Sequence, residues 1–345
     1  MHNVTLLRDV MVKFQVAHMS DYSNLQARLD NREMILLDGA VGTQLQSMGV
    51  PMNHWAWAGI ALKDHPFTVR RMHENYIKAG VDVITVNTYS SARHNLEPLG
   101  LADMTGELNL RAVMLAEDAR DSAASERPIY IAGSVSNYGL LTASEPGWRN
   151  LPYFQGRSEL SEHQAQANLR EQAEILAEAG VDFLLAEATG SNLQRKWVVE
   201  ACLATGLQVW MGFKVRLDAG DSTVRIGYRS ELALADGFDE IASLGGAVVT
   251  IFHSSVASTD AALAVAKSRW SGPMAVYPEA ERSDYVDTHR DQVVPTRLTP
   301  EDFLTKAKTW VAEGVQVIGG CCGVELEYIR PLRERLPMRL TTAPE

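Results

Sequence analysis

One junction recurs along this chain: a helix-like amphipathic segment ends at glycine, and an apolar, β-rich run starts at the next residue. Gly80-Val81, Gly180-Val181 and Gly314-Val315 are three instances. Glycine tolerates the left-handed backbone that ends a helix, so each junction reads as the helix-to-strand step of a repeating βα unit. Eight apolar runs fit this reading: 34–37, 81–88, 128–135, 181–188, 208–215, 247–254, 274–278 and 315–319. Most are continuous rather than alternating, as expected of strands covered on both faces in a parallel sheet. Between them, 68–79 and 162–179 read as helices. A third, 299–312, opens on Thr299-Pro300-Glu301-Asp302, where threonine can cap, proline suits the first turn and acids favour the positive end of the dipole.

Eight βα units predict the α/β class and a single closed (β/α)8 TIM barrel. The rival is an open doubly wound sheet. It wants a glycine-rich phosphate loop after the first strand, and Gly39-Ala40-Val41-Gly42-Thr43 is a weak match. Residues 1–31 read as a helical or partly ordered N-terminal extension that could serve as an assembly arm in a homo-oligomer. Residues 32–340 read as the barrel. Long insertions are expected after the third strand, at 138–156, and after the seventh, at 279–297.

Bulk properties narrow the partners. Net charge is −11 over 345 residues, with no long basic run, which argues against nucleic acid or an anionic membrane surface. No apolar run approaches the ~20 residues needed to cross a bilayer. The three cysteines, Cys202, Cys321 and Cys322, are a poor disulfide framework and suit a reducing compartment; the expected location is the cytoplasm. Cys202 lies in an apparent helix, 197–203, and reads as core.

Chemistry in such a barrel belongs at the C-terminal ends of the strands. There the chain offers Asp38-Gly39, Asn87-Thr88-Tyr89, Gly133-Ser134, Glu187, Lys214 with Arg216, His253-Ser254-Ser255, Tyr277 with Glu279, and Gly319-Gly320-Cys321-Cys322-Gly323. Side chains alternate along a strand, so two adjacent thiols face one point only where the strand breaks into a loop. The flanking glycines permit that break. With His253 at the same mouth, Cys321 and Cys322 form a Cys2His set with one open position, the pattern of catalytic zinc; soft thiolates favour zinc over magnesium or calcium. Blander readings stand beside this one. The cysteines can be small core residues, His253 a hydrogen-bonded histidine, Asp38 a turn former and Glu187 an ion-pair partner. Two buried acids at one mouth favour a role in binding or catalysis for Asp38 and Glu187.

These segments resemble a known family. Asp38-Gly39-Ala40-Val41-Gly42-Thr43-Gln44-Leu45 is similar to the Asp-Gly-Gly-x-Gly-Thr-x-Leu segment of homocysteine S-methyltransferases. The stretch 79–89 resembles that family's second strand, and Ala132-Gly133-Ser134-Val135 with Tyr138-Gly139 its third. Glu187 stands where the family has a glutamate on strand four, and Gly319-Gly320-Cys321-Cys322-Gly323 resembles its zinc signature. The likeness runs from about residue 33 to 337. It implies a zinc-dependent barrel in which the metal holds the homocysteine sulfur as a thiolate, and that sulfur attacks the methyl group of a sulfonium or quaternary ammonium donor. Carried over residue by residue, it implies that Asp38, Gly39 and Glu187 hold the amino-acid end of homocysteine. Asn87 and Ser134 become substrate-binding candidates. Trp57 and Tyr89 fall where the betaine-using branch has cage aromatics, and Tyr138 is a further candidate; cations sit well on aromatic faces. Rim packing is the alternative for all three rings.

The chain departs from the family at three places. Phe252-His253 replaces the Asn-Cys pair that carries the family's first zinc ligand, Ala188 replaces an aromatic of the betaine branch, and Glu279 follows Pro278 where many members have asparagine. A less anionic site should hold zinc less tightly. Other readings therefore remain: a different thiol acceptor, a corrinoid protein as partner, or a barrel without catalysis that binds a small amine or senses redox state. The chain has no Asp-x-His-x-x-Gly motif, so a corrinoid would need a separate subunit.

Overall fold

The structure is a computed structural model that describes residues 22–52, 56–123, 126–144, 157–280 and 298–340. Eight strands form one parallel sheet: β1 (Ile35–Leu36), β2 (Val83–Thr85), β3 (Tyr130–Ser136), β4 (Phe183–Glu187), β5 (Val209–Phe213), β6 (Val248–Phe252), β7 (Met274–Tyr277) and β8 (Val317–Ile318). Their order is β1-β8-β7-β6-β5-β4-β3-β2, every neighbouring pair parallel. A parallel bridge between Leu37 and Val83 joins the two ends of that order, so the sheet closes into the expected (β/α)8 barrel. The hydrogen-bonded strands are shorter than the apolar runs that announced them. The remaining residues of the runs flank the strands, some before the strand start, such as 81–82 and 315–316, and some after its end, such as 86–88 and 253–254.

Closure of the β1–β2 seam uses a buried acid. Asp82 follows the Gly80-Val81 junction and accepts a 2.8 Å hydrogen bond from the Leu36 amide on Oδ2, while its own amide donates to Leu36 O at 2.7 Å. Asp182, after Gly180-Val181, repeats the arrangement at the β3–β4 seam, accepting from the Ile131 amide at 2.7 Å. Each side chain thus replaces the ladder partner that a strand start lacks. Arg28, Arg127 and Arg333 surround the Asp82 carboxylate, which offsets the desolvation of a buried charge.

The expected helices form. Glu162–Ala179 has the expected bounds, Pro66–Ala79 starts slightly earlier, and Pro300–Ala312 is capped by reciprocal bonds between Thr299 and Asp302. Gly80 and Gly180 carry φ of 109° and 96°, angles that L side chains adopt only with strain. Along each strand, residues alternate between the barrel interior and the helix layer. Val83, Tyr130, Leu185, Trp210 and Phe252 face inward, whereas Ile84, Ile131, Leu184, Met211 and Ile251 pack under the helices.

The floor of the barrel comes from the N-terminal region. Helix Tyr22–Asp30 inserts Tyr22, Leu25 and Leu29 into the interior cluster. Trp210 Nε1 donates to Tyr22 Oη at 3.1 Å, and Gln316 Nε2 to Leu29 O at 2.8 Å. Residues 1–21 lie outside the described residues, as do most of the two long insertions, 145–156 and 281–297. One further element follows β5: an antiparallel hairpin of Val215–Leu217 and Val224–Ile226. No described helix is long and apolar enough to cross a membrane.

Leu25 is fully buried. Leu25→Ala is expected to destabilise the protein by about 2–5 kcal/mol, read as a lowered midpoint in chemical denaturation; an unchanged midpoint would show that the floor helix adds nothing to the core.

Candidate functional site

Strands β6, β7 and β8 end side by side at the mouth. Phe252 is the last residue of β6 and points into the barrel. Regular alternation would send His253 outward, toward the helices. Instead His253 has φ of 45°, a left-handed turn that brings its ring back over the mouth. Its amide still donates to Tyr277 O at 3.2 Å, so the turn is bolted to β7. His253 Nδ1 lies 3.3 Å from Cys321 Sγ, and one donor atom each from His253, Cys321 and Cys322 falls within a mutual 4.8 Å. The other ring nitrogen, Nε2, contacts the Tyr228 hydroxyl. That contact leaves Nδ1 to face the sulfurs, the division of labour usual for a metal-binding imidazole.

Electrostatics at the trio are those of a site that wants a cation. The Cys321 sulfur beside it, together with burial, pushes the Cys322 thiol well above its usual range. Burial opposes charge on His253, but Cys322 and Glu279 outweigh it and raise its pKa. The Glu279 carboxylate stands 3.8 Å from His253 Nδ1. A tetrahedral zinc with N and S ligands sets its donors about 3.5–3.8 Å apart; the 3.3 Å Nδ1–Sγ separation is slightly shorter than that edge, and one nitrogen with two sulfurs is the donor set of a Cys2His site.

Across the mouth lie the two acids. Asp38, 2% exposed, accepts from the Thr85 amide at 2.7 Å and from Thr85 Oγ1 at 2.9 Å. Burial nevertheless pushes it up to about 8, and the charge of Glu187 adds to the rise. Glu187 is also raised by burial, against hydrogen bonds from Ser134 and Tyr277 and the pull of His253. Gly39 is steric in origin: a Cβ there would collide with Val324 O and the Tyr76 hydroxyl.

The three aromatic candidates meet. Ring centroids are 6.3 Å apart for Trp57 and Tyr89, 6.4 Å for Trp57 and Tyr138, and 5.5 Å for Tyr89 and Tyr138. Trp57 sits in a left-handed backbone, φ 40°, in a segment held by the loop that follows β2. Asn87 Nδ2 donates to Ala58 O at 2.8 Å, and Ser90 Oγ donates to Ala56 O at 2.6 Å. Gly42 leaves room for the Trp57 ring, which a Cβ would strike. Behind Tyr138, Arg157 stacks at 5.7 Å from the ring centroid, and His94 Nε2 bonds the Tyr138 carbonyl at 2.9 Å. All eleven candidates from the sequence thus stand at one mouth. Asn87 Nδ2 bonds the Trp57 segment, and the Ser134 hydroxyl bonds Glu187.

The family model described as homocysteine S-methyltransferase matches residues 35–336. The chain belongs to the homocysteine S-methyltransferase family. A homocysteine S-methyltransferase of Escherichia coli (strain K12) is 28% identical over 326 residues, 92% of this chain and 100% of that protein. A selenocysteine methyltransferase of Astragalus bisulcatus is 25% identical over 321 residues, 86% and 90% of the two chains. In fold, the metallated form of the homocysteine methyltransferase MmuM from Escherichia coli has a TM-score of 0.66 at 23% identity, covering 90% of this chain and 99% of that chain. As a member of this family, the chain is a methyltransferase acting on small molecules.

Tyr228 was missed from the sequence, and so was the hairpin that delivers it. The signal was present: Val215-Arg216-Leu217 and Val224-Arg225-Ile226 alternate around the turn-forming Asp218-Ala219-Gly220-Asp221-Ser222. Lys214, at the base of the hairpin, is buried with its Nζ 4.7 Å from the Tyr228 ring centroid and 2.9 Å from Val215 O.

Asp38 provides a test of the electrostatics. Its raised pKa means that the folded protein keeps a proton between about pH 4 and 8 that the unfolded chain releases. The group's stabilising contribution is full below the unfolded value and is lost as pH rises toward the folded one. Asp38→Asn should therefore gain on wild type by up to ~4 kcal/mol between pH 5 and 8 in chemical denaturation of metal-free protein. A gap that stays flat with pH would mean that Asp38 is ionised throughout.

Proposed function

We propose that this methyltransferase moves a methyl group from a small onium donor, a sulfonium or quaternary ammonium, to the thiol of homocysteine, giving methionine, with zinc held by His253, Cys321 and Cys322. The observation that carries the proposal is the convergence of those three donors within 4.8 Å at a mouth that also presents two buried acids and an aromatic wall. A zinc ion bound there would hold a thiol as thiolate, which at a pKa of ~8.5 is otherwise mostly protonated at neutral pH.

The chain's own residues do the rest. Asp38 and Glu187 receive the homocysteine ammonium. An arriving cation restores the charge that burial suppresses on both carboxyls, so the acids are tuned to a cationic guest. Ser134 aims Glu187, and Gly39 lets the β1 loop approach closely. Trp57, Tyr89 and Tyr138 offer ring faces to the donor cation and keep water from the methyl group. The homocysteine sulfur displaces the donor's neutral thioether or amine: one S–C bond forms as one S–C or N–C bond breaks, and the thiol proton passes to solvent. Asn87 acts through Trp57 by holding its segment. The free thiols suit a reducing compartment, which supports a cytoplasmic setting.

Two measurements test this. Elemental analysis should find about one zinc per chain in wild type and little in His253→Ala, Cys321→Ala and Cys322→Ala; full occupancy in all three variants would sink the ligand assignment. With homocysteine as acceptor, Trp57→Leu should raise KM for the onium donor by roughly 10-fold and leave zinc content unchanged. An unaltered donor KM would reduce the aromatic cluster to packing.

A further inference from the structure

Lys214 is a buried charge that the proposed chemistry does not use, and the fold brings it to the mouth. Along β5, Trp210 faces the barrel interior, whereas Met211 and Phe213 pack under the helices. Lys214 is the next residue after the strand ends at Phe213, and the alternation turns it inward. β5 lies between β4 and β6 in the sheet, so Lys214 stands between Glu187 on one side and His253 on the other.

The hairpin after β5 closes over this lysine. Gly227 N donates to Lys214 O at 2.7 Å, and Tyr228 N to Thr189 O at 3.3 Å, just past Glu187. Those bonds set the Tyr228 ring beside the ammonium, 4.7 Å from Nζ to the centroid, while the phenol reaches His253 Nε2. Lys214 Nζ donates to Val215 O at 2.9 Å, and the residue is 4% exposed. Carbonyl and ring are both neutral, and the carbonyl takes one of an ammonium's three donors. The neighbouring arginines have other stations. Arg195 donates to Gly212 O and Ala188 O and lies over the outward-facing Phe213 ring; Arg157 lies behind Tyr138.

Resting on the function proposed above, we infer that Lys214 receives the carboxylate of a zwitterionic substrate and thereby restricts the mouth to carboxylate-bearing ligands. Homocysteine brings such a group, and so does a donor that is itself an onium carboxylate. The acids of the mouth attract cations of any kind and do not distinguish an amino acid from a simple amine. A cation between Glu187 and His253 makes that distinction. The ammonium keeps Val215 O and turns a further N–H to the carboxylate, a charge-assisted bond that the Tyr228 ring shields from water. A ligand without the carboxylate forfeits that bond.

Matched ligand pairs test this by calorimetry on zinc-loaded protein. One pair is homocysteine and aminopropanethiol, the same thiol and amine without the carboxylate. The other is betaine and tetramethylammonium. Wild type should prefer the carboxylate-bearing member by at least ~10-fold, and Lys214→Met should lose that preference; the pair that shows the loss identifies the source of the carboxylate. A purely structural Lys214 would weaken both members of a pair together. A preference that survives in Lys214→Met, or one absent from wild type in both pairs, overturns the inference. Should Lys214→Met fail to fold, Lys214→Gln makes the same comparison. Failure of the underlying methyltransferase reading has its own signature: wild type then binds no member of either pair, and the inference falls with it.

Discussion

A strand cannot point two neighbouring side chains at one place, and the whole mouth depends on escaping that rule. Phe252 belongs to the barrel interior; His253, the next residue, must reach the same mouth. The left-handed backbone at His253 resolves the conflict. Such a conformation costs a non-glycine residue about 1–2 kcal/mol, and it persists where surrounding contacts determine it. Here they are the bond from His253 N to Tyr277 O, the contact with Tyr228, and the Ser254 hydroxyl donating to Phe252 O at 2.7 Å. On β8 the same problem has a different solution: the strand stops at Ile318, and the Gly319-Gly320 loop carries both thiols forward.

The electrostatic consequence is a mouth crowded with groups that prefer a cation. Asp38, Glu187 and Glu279 are buried acids, Cys321 and Cys322 are adjacent thiols, and Lys214 and His253 are the nearby bases. Burial holds Asp38 and Glu187 toward their neutral forms. A barrel that only needed stability would place apolar residues there, since buried carboxyls cost more than they return without partners. The arrangement makes sense for a site whose guests bring the positive charge: a metal dication, an ammonium and an onium methyl donor.

The sequence made the barrel legible because its signals are local and repeated. Helix-ending glycines, continuous apolar runs and a capping box each act within a few residues, and eight repeats leave few topologies. The strand-end inventory was legible for the same reason, since topology alone sends those residues to one face. What stayed hidden depends on contacts distant in sequence. The backbone turn at His253 has no local signature. Tyr228 reaches His253 only because a hairpin folds over the mouth. The helix at 22–30 looked like part of an extension, because nothing in its own residues reveals that Tyr22 meets Trp210, 188 positions away. The bonds from Asn87 Nδ2 to Ala58 O and from Ser134 to Glu187 join residues far apart in sequence, which no local signal announces.

Those partners divide the mouth into two halves with different tasks. Strands β6 to β8 carry the soft donors, and their ends are cross-linked to one another through backbone bonds from 253, 279, 280 and 321. Strands β1 to β4 carry the acids and the aromatic wall, organised by side chains: Thr85 on Asp38, Ser134 on Glu187, Asn87 and Ser90 on the Trp57 segment. Backbone bonds make the donor side stiff, which suits a centre whose ligand spacing must hold within a few tenths of an ångström. Glu187 joins the halves, because its carboxylate hydrogen-bonds both Ser134 on β3 and Tyr277 on β7. A change at Glu187 therefore reaches both the substrate side and the strand that holds His253, so its effect on activity will exceed what the loss of one carboxylate contact to an ammonium can account for.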